Sequence, residues 1–415
     1  MRVRVVLLAL TAFAAACSSN IAAPTTSPAP TAIATSPATP SASSTPGLTS
    51  PPLAGQVTAF DVLTELVGWV ALRDDAGATL AKTSDAGRTW QRVGPARIAS
   101  VSSLDELRFI DERNAFAVAF DEEATPRKGI VLATEDGGAT WTERLVAGAP
   151  SGLPGPNPLR GLVVVDDRHA WVVVTTGPCD PEGCVSELRA TADAGVSWST
   201  SYRPTGAMIG VATFADASRG WLTESAVVRR GQQLLGTSDG GRSWQVSVAA
   251  DALQPTEAFI GLSAPAPRYV WAVSFDSASC TGDGCERYAL RVSRDGGLTW
   301  MTVHALDADA SWWRKEGCGG FLGAPVFVDA SHGLIPFGQG AGGRSPENPG
   351  GLLVTDDGGN TFRCVRVTSV KASVEIRFAN ARVGWAIAFT IDSKRSGYRT
   401  VDGGATWQQM ALPGA

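Results

Sequence analysis

Two arginines in matching surroundings are the residues best placed to act on a charged ligand: Arg108 in LRFID and Arg377 in IRFAN. Guanidinium groups brought together would hold an anion through paired N–H donors. Glu106 precedes Arg108 by two residues and Glu375 precedes Arg377 likewise. In a strand such a spacing puts both side chains on one face, so local neutralisation is the favoured reading and an anion site the alternative. A nucleophile is harder to find. There are four tyrosines; Tyr288 has a carboxylate, Glu286, on the same side of its strand, which is a thin case. Asp and Glu are otherwise scattered, with no pair set apart for glycoside cleavage by two carboxylates. His169 and His332 fall in short turns and His304 stands apart, so the three histidines suggest neither zinc nor a triad. No metal or cofactor is expected.

The seven cysteines point to export. Arg2 and Arg4 precede an apolar run ending in small residues before Cys17, the pattern of a secretory signal too short to span a bilayer. Small residues directly before a cysteine resemble the bacterial lipobox, which makes Cys17 a lipidation site. Ala14 stands where leucine is more usual, and Ala14 with Ala16 also fits simple cleavage and secretion. With Cys17 lipidated, six cysteines remain. Cys179 and Cys184 bracket CDPEGC, Cys280 and Cys285 bracket CTGDGC, and Cys318 and Cys364 are left for each other. Residues 18–55 contain no charged and no aromatic side chain and cannot offset their ordering entropy, so a disordered tether is expected. If extended, it would reach on the order of 100 Å.

The formal charge of −5 is mixed along the chain and forms no basic stripe, so nucleic acid is not an expected partner. Hydrophobic content of 44%, 18% charged residues, 46 glycines and 25 prolines favour β-structure with many turns. One repeat then organises everything from residue 56 to 415. Its octets are TSDAGRTW (83–90), TEDGGATW (134–141), TADAGVSW (191–198), TSDGGRSW (237–244), SRDGGLTW (293–300), TDDGGNTF (355–362) and TVDGGATW (400–407). Each follows a strand headed by an aromatic residue or Leu, as in VGWVAL, HAWVVV or VGWAIAF. The octet reads as a hairpin whose Asp accepts backbone N–H bonds across the turn, the second Gly supplying a positive φ. These aspartates are Asp85, Asp136, Asp193, Asp239, Asp295, Asp357 and Asp402. With a preceding apolar strand, each unit has four short strands, too few to bury both of its own faces.

The octets resemble the Asp box, or bacterial neuraminidase repeat, S/T-x-D-x-G-x-T/S-W/F. The resemblance implies a seven-bladed β-propeller of four-stranded antiparallel blades, like those of sialidases, xyloglucanases, sortilin-type receptors and photosystem II stability and assembly factors. The pairing of a GW strand with T-x-DGG-x-TW is most similar to the last group. A ring of this kind closes without long exposed edges. It puts the octet turns and the short turns between strands 1 and 2 on one face. The longer 2–3 and 4–1 loops fall on the other, varied face, where function commonly sits. Eleven of the thirteen tryptophans head second strands or end octets. Trp312 and Trp313, beside Arg314 in SWWRKEGCGG, belong to neither set. They are expected on the varied face, presenting a ring to a ligand or packing as a lid. Arg344, in the loop 338–351, joins them as a candidate.

Sialidases carry three arginines around a carboxylate, a Tyr nucleophile assisted by Glu, an Asp acid/base and an Arg-Ile-Pro motif. Here Arg108 and Arg377 occupy equivalent places lining the channel, but the proline and a third arginine are missing. The resemblance therefore implies a tethered, non-catalytic binding or assembly platform at the outer face of a bacterial membrane. A monomer meeting a protein or glycan is expected, with membrane contact through the lipid alone. A sialidase-type glycoside hydrolase is the alternative.

Overall fold

The computed structural model describes residues 53–414 apart from 99, 151–156, 181–182, 206, 227–231, 249–252, 254–255, 282–283, 286, 308–317, 319–320 and 340–348. Apolar strands punctuated by octet turns fold into seven antiparallel sheets, each a meander of consecutive strands. Blade 1 spans Gln56–Val93, blade 2 Ser103–Gly148, blade 3 Leu159–Tyr202 and blade 4 Ala207–Val248. Blade 5 spans Glu257–Asp307, blade 6 Phe321–Lys371 and blade 7 Ser373–Met410. From blade 1 to blade 6 the first strands of successive blades pack side by side, that of blade 7 packs on the second strand of blade 6, and it meets the first strand of blade 1. The result is a seven-bladed β-propeller. In blade 6 the innermost strand is broken into Phe321–Leu322 and Val326–Phe327, both paired with Gly333–Gln339. Pro325, which has no N–H to give a ladder, lies in the break.

The octet turn holds itself. In blade 2, Asp136 Oδ1 accepts from the Thr140 N–H at 2.8 Å and the Thr134 hydroxyl at 2.9 Å. Its Oδ2 accepts from the Thr140 hydroxyl at 2.7 Å, and Gly138 N–H donates to Thr134 Oγ1 at 2.9 Å. The same set recurs at Asp85, Asp193, Asp239, Asp295, Asp357 and Asp402. Both residues after the Asp have positive φ, not the second alone. The first is Ala86 (62°) in blade 1 and Ala194 (60°) in blade 3, glycine elsewhere. Alanine pays roughly 1 kcal/mol there. At the second position there is no such freedom, because a Cβ on Gly138 would lie 2.4 Å from Leu80 Cδ2 of blade 1.

Between blades the mortar is aromatic. Trp69, Trp171, Trp221, Trp271 and Trp385, at the heads of second strands, are at most 1% exposed. Trp69 stacks on Phe109 and Trp171 on Phe214 at 3.6 Å, and Trp271 on Phe327 at 4.1 Å, each across to the next blade. A buried tryptophan removes roughly 200 Å² from water, an upper bound near 5 kcal/mol of transfer free energy.

Ring closure, which the repeat alone left open, uses no exchanged strand: all of blade 1 comes from one end of the repeat region and all of blade 7 from the other. Side chains close the seam instead. Trp385 packs with Phe60, Val70, Leu72, Met410 and Leu412, and Trp90 Nε1 donates to the Ala411 carbonyl at 2.8 Å.

Candidate functional site

Register places one residue of each first strand opposite the head of its second strand. These are Asp61, Arg108, Val163, Thr213, Ser263, Val326 and Arg377, one level around the central channel. Blades 7, 1 and 2 are consecutive in the ring, so Arg377, Asp61 and Arg108 form a charged arc. Burial pushes the Asp61 carboxyl up, opposed by Arg108, the Phe109 N–H, Arg377 and the Val62 N–H. Burial also pulls Arg108 down, reinforced by the like charge of Arg377 and opposed by Asp61 and the two glutamates. The sequence-predicted arginines thus do come together. The missing member was Asp61, readable by aligning FDV with LRFID and IRFAN.

Several polar groups on the first strands tie blades together. Asp61 Oδ2 accepts the Phe109 N–H of blade 2 at 2.6 Å, and Ser263 Oγ accepts the Phe327 N–H of blade 6 at 2.8 Å, the same stitch at two seams. Glu106 accepts the Gly161 and Leu162 N–H groups of blade 3 at 2.6 and 2.9 Å. Arg160 donates to the Ile209 and Gly210 carbonyls of blade 4 at 2.7 and 2.8 Å. Arg108 lies 3.9 Å from Glu106, whereas Arg377 Nη2 bonds Glu375 at 3.2 Å. Each arginine also donates to the carbonyl of its preceding residue, Leu107 at 2.7 Å and Ile376 at 2.9 Å. Arg377 Nε is buried with no partner among the described residues.

Tyr288 is 3% exposed in the core shared by blades 5 and 6, its hydroxyl accepting the Leu322 N–H at 3.4 Å. A phenol so placed is closed off from a substrate in the channel. His169 and His332 each bond the Asp three residues earlier, Asp166 and Asp329, inside their own turns. Among the described residues no cluster could hold a metal ion. Cys318 and Cys364 are joined, with Cα atoms 6.2 Å apart, fastening the blade 5–6 connection to the last strand of blade 6. Cys179 faces Cys184 and Cys280 faces Cys285 in strand register; the side chains of these four cysteines lie outside the described residues. So do Cys17, Trp312, Trp313, Arg314, Arg344 and the side chains of Glu286 and His304.

On the varied face, a cavity of about 730 Å³ lies over blades 1 and 2. Its wall alternates in charge: Arg97 pairs with Asp74 at 3.0 Å, and Arg73 crosses to Glu122 of blade 2 at 2.6 Å. Asp75 and Glu123 line it with no ion pair among the described residues. A second hollow of about 400 Å³, lined by Lys394, Arg395 and Leu412, shares Gly55, Gln56 and Gly414 with it. Further polar clusters went unread. Fully buried Glu187 accepts from Arg189, Arg203 and Thr200 in blade 3, and Glu257 accepts from Ser274 and Arg291 in blade 5. The E-x-R spacing in SELRAT, shared with ELRFID and EIRFAN, was the available signal for Glu187; Glu257 and Arg291, 34 positions apart, had none.

No protein-family model matches the chain, and no curated protein does either. Among solved structures, it is similar to YCF48 bound to a D1 peptide, with a TM-score of 0.51 and 15% identity over 87% of this chain and 95% of that one. An oligogalacturonate lyase of Vibrio parahaemolyticus gives 0.54 and 10% identity over 84% and 90%. A polysaccharide lyase of the PL25 ulvan lyase family gives 0.52 and 12% over 87% and 95%. At such identities the likeness is one of fold, shared by a peptide-binding protein and by enzymes.

Proposed function

We propose that the chain is an extracytoplasmic propeller, anchored through lipid on Cys17, that binds a partner on its varied face and performs no catalysis. The observation that carries this reading is the use of the channel's polar groups: Asp61, Glu106 and Arg160 bond the backbone of neighbouring blades. Groups held in this way stiffen a scaffold and are poor proton donors or acceptors for a substrate. The cavity of about 730 Å³ lies on the varied face, and its charged wall suits the polar backbone and mixed charges of a protein segment. The likeness to a propeller that holds a peptide supports a protein as the class of partner. A glycan met through Trp312 and Trp313 is the variant of the same reading.

The alternative, a sialidase-type glycoside hydrolase, draws on one observation: Arg108 and Arg377 keep 28% and 26% of their side-chain surface exposed, and Arg377 Nε has no partner. Crosslinking and pull-down from membranes, with the full chain as bait, tests the binding reading. Replacing Arg73 and Arg97 with Glu should abolish capture of a protein that the unaltered chain retains. Capture unaffected by these changes and by Trp312→Ala/Trp313→Ala would remove the varied face from consideration. Turnover of a fluorogenic sialoside that is lost in Arg108→Ala and Arg377→Ala would establish the alternative.

A further inference from the structure

On the opposite face, blades 3 to 5 depart from the pattern of the other blades. In five blades the third residue after the octet's final aromatic touches the octet turn of the following blade. Around the ring this position is bulky at Val93, Arg144, Val303, Val365 and Met410. Met410, Val93 and Arg144 lie directly on the turn glycines Gly87, Gly138 and Gly195. Blades 3 and 4 have Ser201 and Ser247 there instead. Their hydroxyls donate to the carbonyls of Gly241 (2.8 Å) and Gly297. The volume that a larger side chain would fill stays open. Two equivalent grooves result, about 360 Å³ between blades 3 and 4 and about 330 Å³ between blades 4 and 5.

Both grooves are floored by hydroxyls and backbone, with Ser199, Thr200 and Ser201 in one and Ser238, Ser243 and Ser247 in the other. Arg242 stands at the first and Arg219 at the second. Arg268 and Arg294, on the turns of blade 5, are exposed as well. None of the four has an ion pair among the described residues. The nearby carboxylates are turned inward. Asp239 and Asp295 accept three bonds or more each inside their octet turns, and Asp216 caps the N–H groups of Ser218 and Arg219. The second groove has no acidic residue in its wall. The surface thus offers four exposed guanidinium groups with no ion pair among the described residues, two of them at the hydroxyl-lined clefts.

We infer that this face binds an acidic polysaccharide, its carboxylate or sulfate groups held by Arg219, Arg242, Arg268 and Arg294 and its sugar hydroxyls by the two clefts. Bidentate guanidinium contacts suit planar or tetrahedral anions. Clefts repeated from one blade to the next suit a polymer whose charge also repeats. A lipid surface would meet the rims and leave the clefts unused. This inference is independent of the varied-face reading.

The test is affinity electrophoresis and calorimetry of the full chain with polygalacturonate, and with neutral dextran, anionic vesicles and duplex DNA as comparators. Polygalacturonate should bind and dextran should not, with binding weakening as salt is raised. Arg219→Ala/Arg242→Ala/Arg294→Ala should weaken it by about tenfold or more, the sum of several modest exposed contacts. Ser201→Val/Ser247→Val, which fills both clefts and leaves every charge in place, should weaken it by about fivefold. Thermal unfolding identifies variants that retain the fold, and Arg268→Ala alone provides a milder second probe. No binding of polygalacturonate overturns the inference. So does binding indifferent to the arginines, or vesicle or DNA binding that is stronger and unaffected by filling the clefts.

Discussion

Closure without a shared strand makes the blade 7 to blade 1 seam depend on packing, and Gly68 tests that dependence. It heads the second strand of blade 1. A Cβ added there would lie 2.3 Å from Trp385 Cη2, 2.6 Å from Cζ3 and 2.8 Å from the Asp61 carbonyl. Carbon contacts settle near 3.5–4.0 Å, so the ring must move by about 1 Å. Trp385 is fully buried and has nowhere to go, and the carbonyl is fixed by strand pairing at Val62 and Gly68. Gly68→Ala should therefore cost about 3 kcal/mol, the upper end for overpacking. Trp385→Phe removes the part of the ring that collides and should cost about 2 kcal/mol alone, for lost contact. Together they should cost about 3 kcal/mol rather than about 5, because the methyl enters the space the ring vacates and only the carbonyl clash persists. Guanidinium unfolding of the four proteins, followed by tryptophan fluorescence with a check on the slope, gives the cycle. Strict additivity would refute the reasoning, and so would a Gly68→Ala protein within about 0.5 kcal/mol of the parent.

Within one octet, Gly403→Ala should cost about 1 kcal/mol, as the alanines at 86 and 194 imply. Gly404→Ala should cost about 3 kcal/mol, since its Cβ would sit 2.7 Å from Leu334 Cδ2; equal losses in urea unfolding would contradict this. Hydroxyl and N–H donors hold Asp85, Asp193, Asp239 and Asp295 down to about 2, against 3.8. Being depressed in the fold, these groups add stability above the unfolded value and lose it as pH falls through the folded one. The unfolding temperature should accordingly drop mainly between about pH 4 and pH 2, and a flat profile there would count against the turn chemistry. Glu187→Ala should cost about 3 kcal/mol by leaving Arg189 and Arg203 without their shared carboxylate, with little relief from added salt; a loss under about 1 kcal/mol would show the cluster to be dispensable.

The repeat was legible because its residues act locally. Asp136 bonds atoms within four residues of itself, so eight letters contain the whole device. Trp171 was readable for a related reason: its place at the head of a strand fixes which face it occupies, and that face is buried. What the sequence did not show depends on neighbours that the chain reaches only by going once around a blade. Asp61 meets Phe109 across 48 positions, and its raised pKa comes from burial that no local spacing encodes. Glu106 reads as the local neutraliser of Arg108, yet its shortest bonds run to Gly161 and Leu162, over 50 positions away. The E-x-R spacing identified the right partner for Arg377, which bonds Glu375, and missed the principal partners of Glu106. Closure was illegible for the same reason, since Trp385 and Gly68 touch only because the ring returns to its start.

The two faces owe their different variability to what holds each backbone. On the octet side, every turn is fixed by its Asp and by a bond from its first positive-φ residue to the neighbouring 1–2 turn, as when Gly137 N–H meets the Arg113 carbonyl at 2.8 Å or Gly296 N–H the Arg268 carbonyl at 3.0 Å. Loop length cannot change there without breaking both bonds. The side chain after the second glycine can change freely because the turn's shared bonds do not use it, which is how Arg88, Val196, Arg242, Leu298 and Asn360 come to occupy one equivalent place, although Arg88 and Asn360 add a bond to the Asp carbonyl of their own turn. A pattern of charge can then be written on a rigid surface at almost no cost in stability, since exposed substitutions of this kind shift folding by only about 0.5 kcal/mol. On the other side no bond recurs in all seven blades among the described residues, and connections grow from short links to the long segment between blades 5 and 6. One face can therefore diverge in chemistry while keeping its shape, and the other in shape itself, which is why a propeller of this build can carry two unrelated binding surfaces.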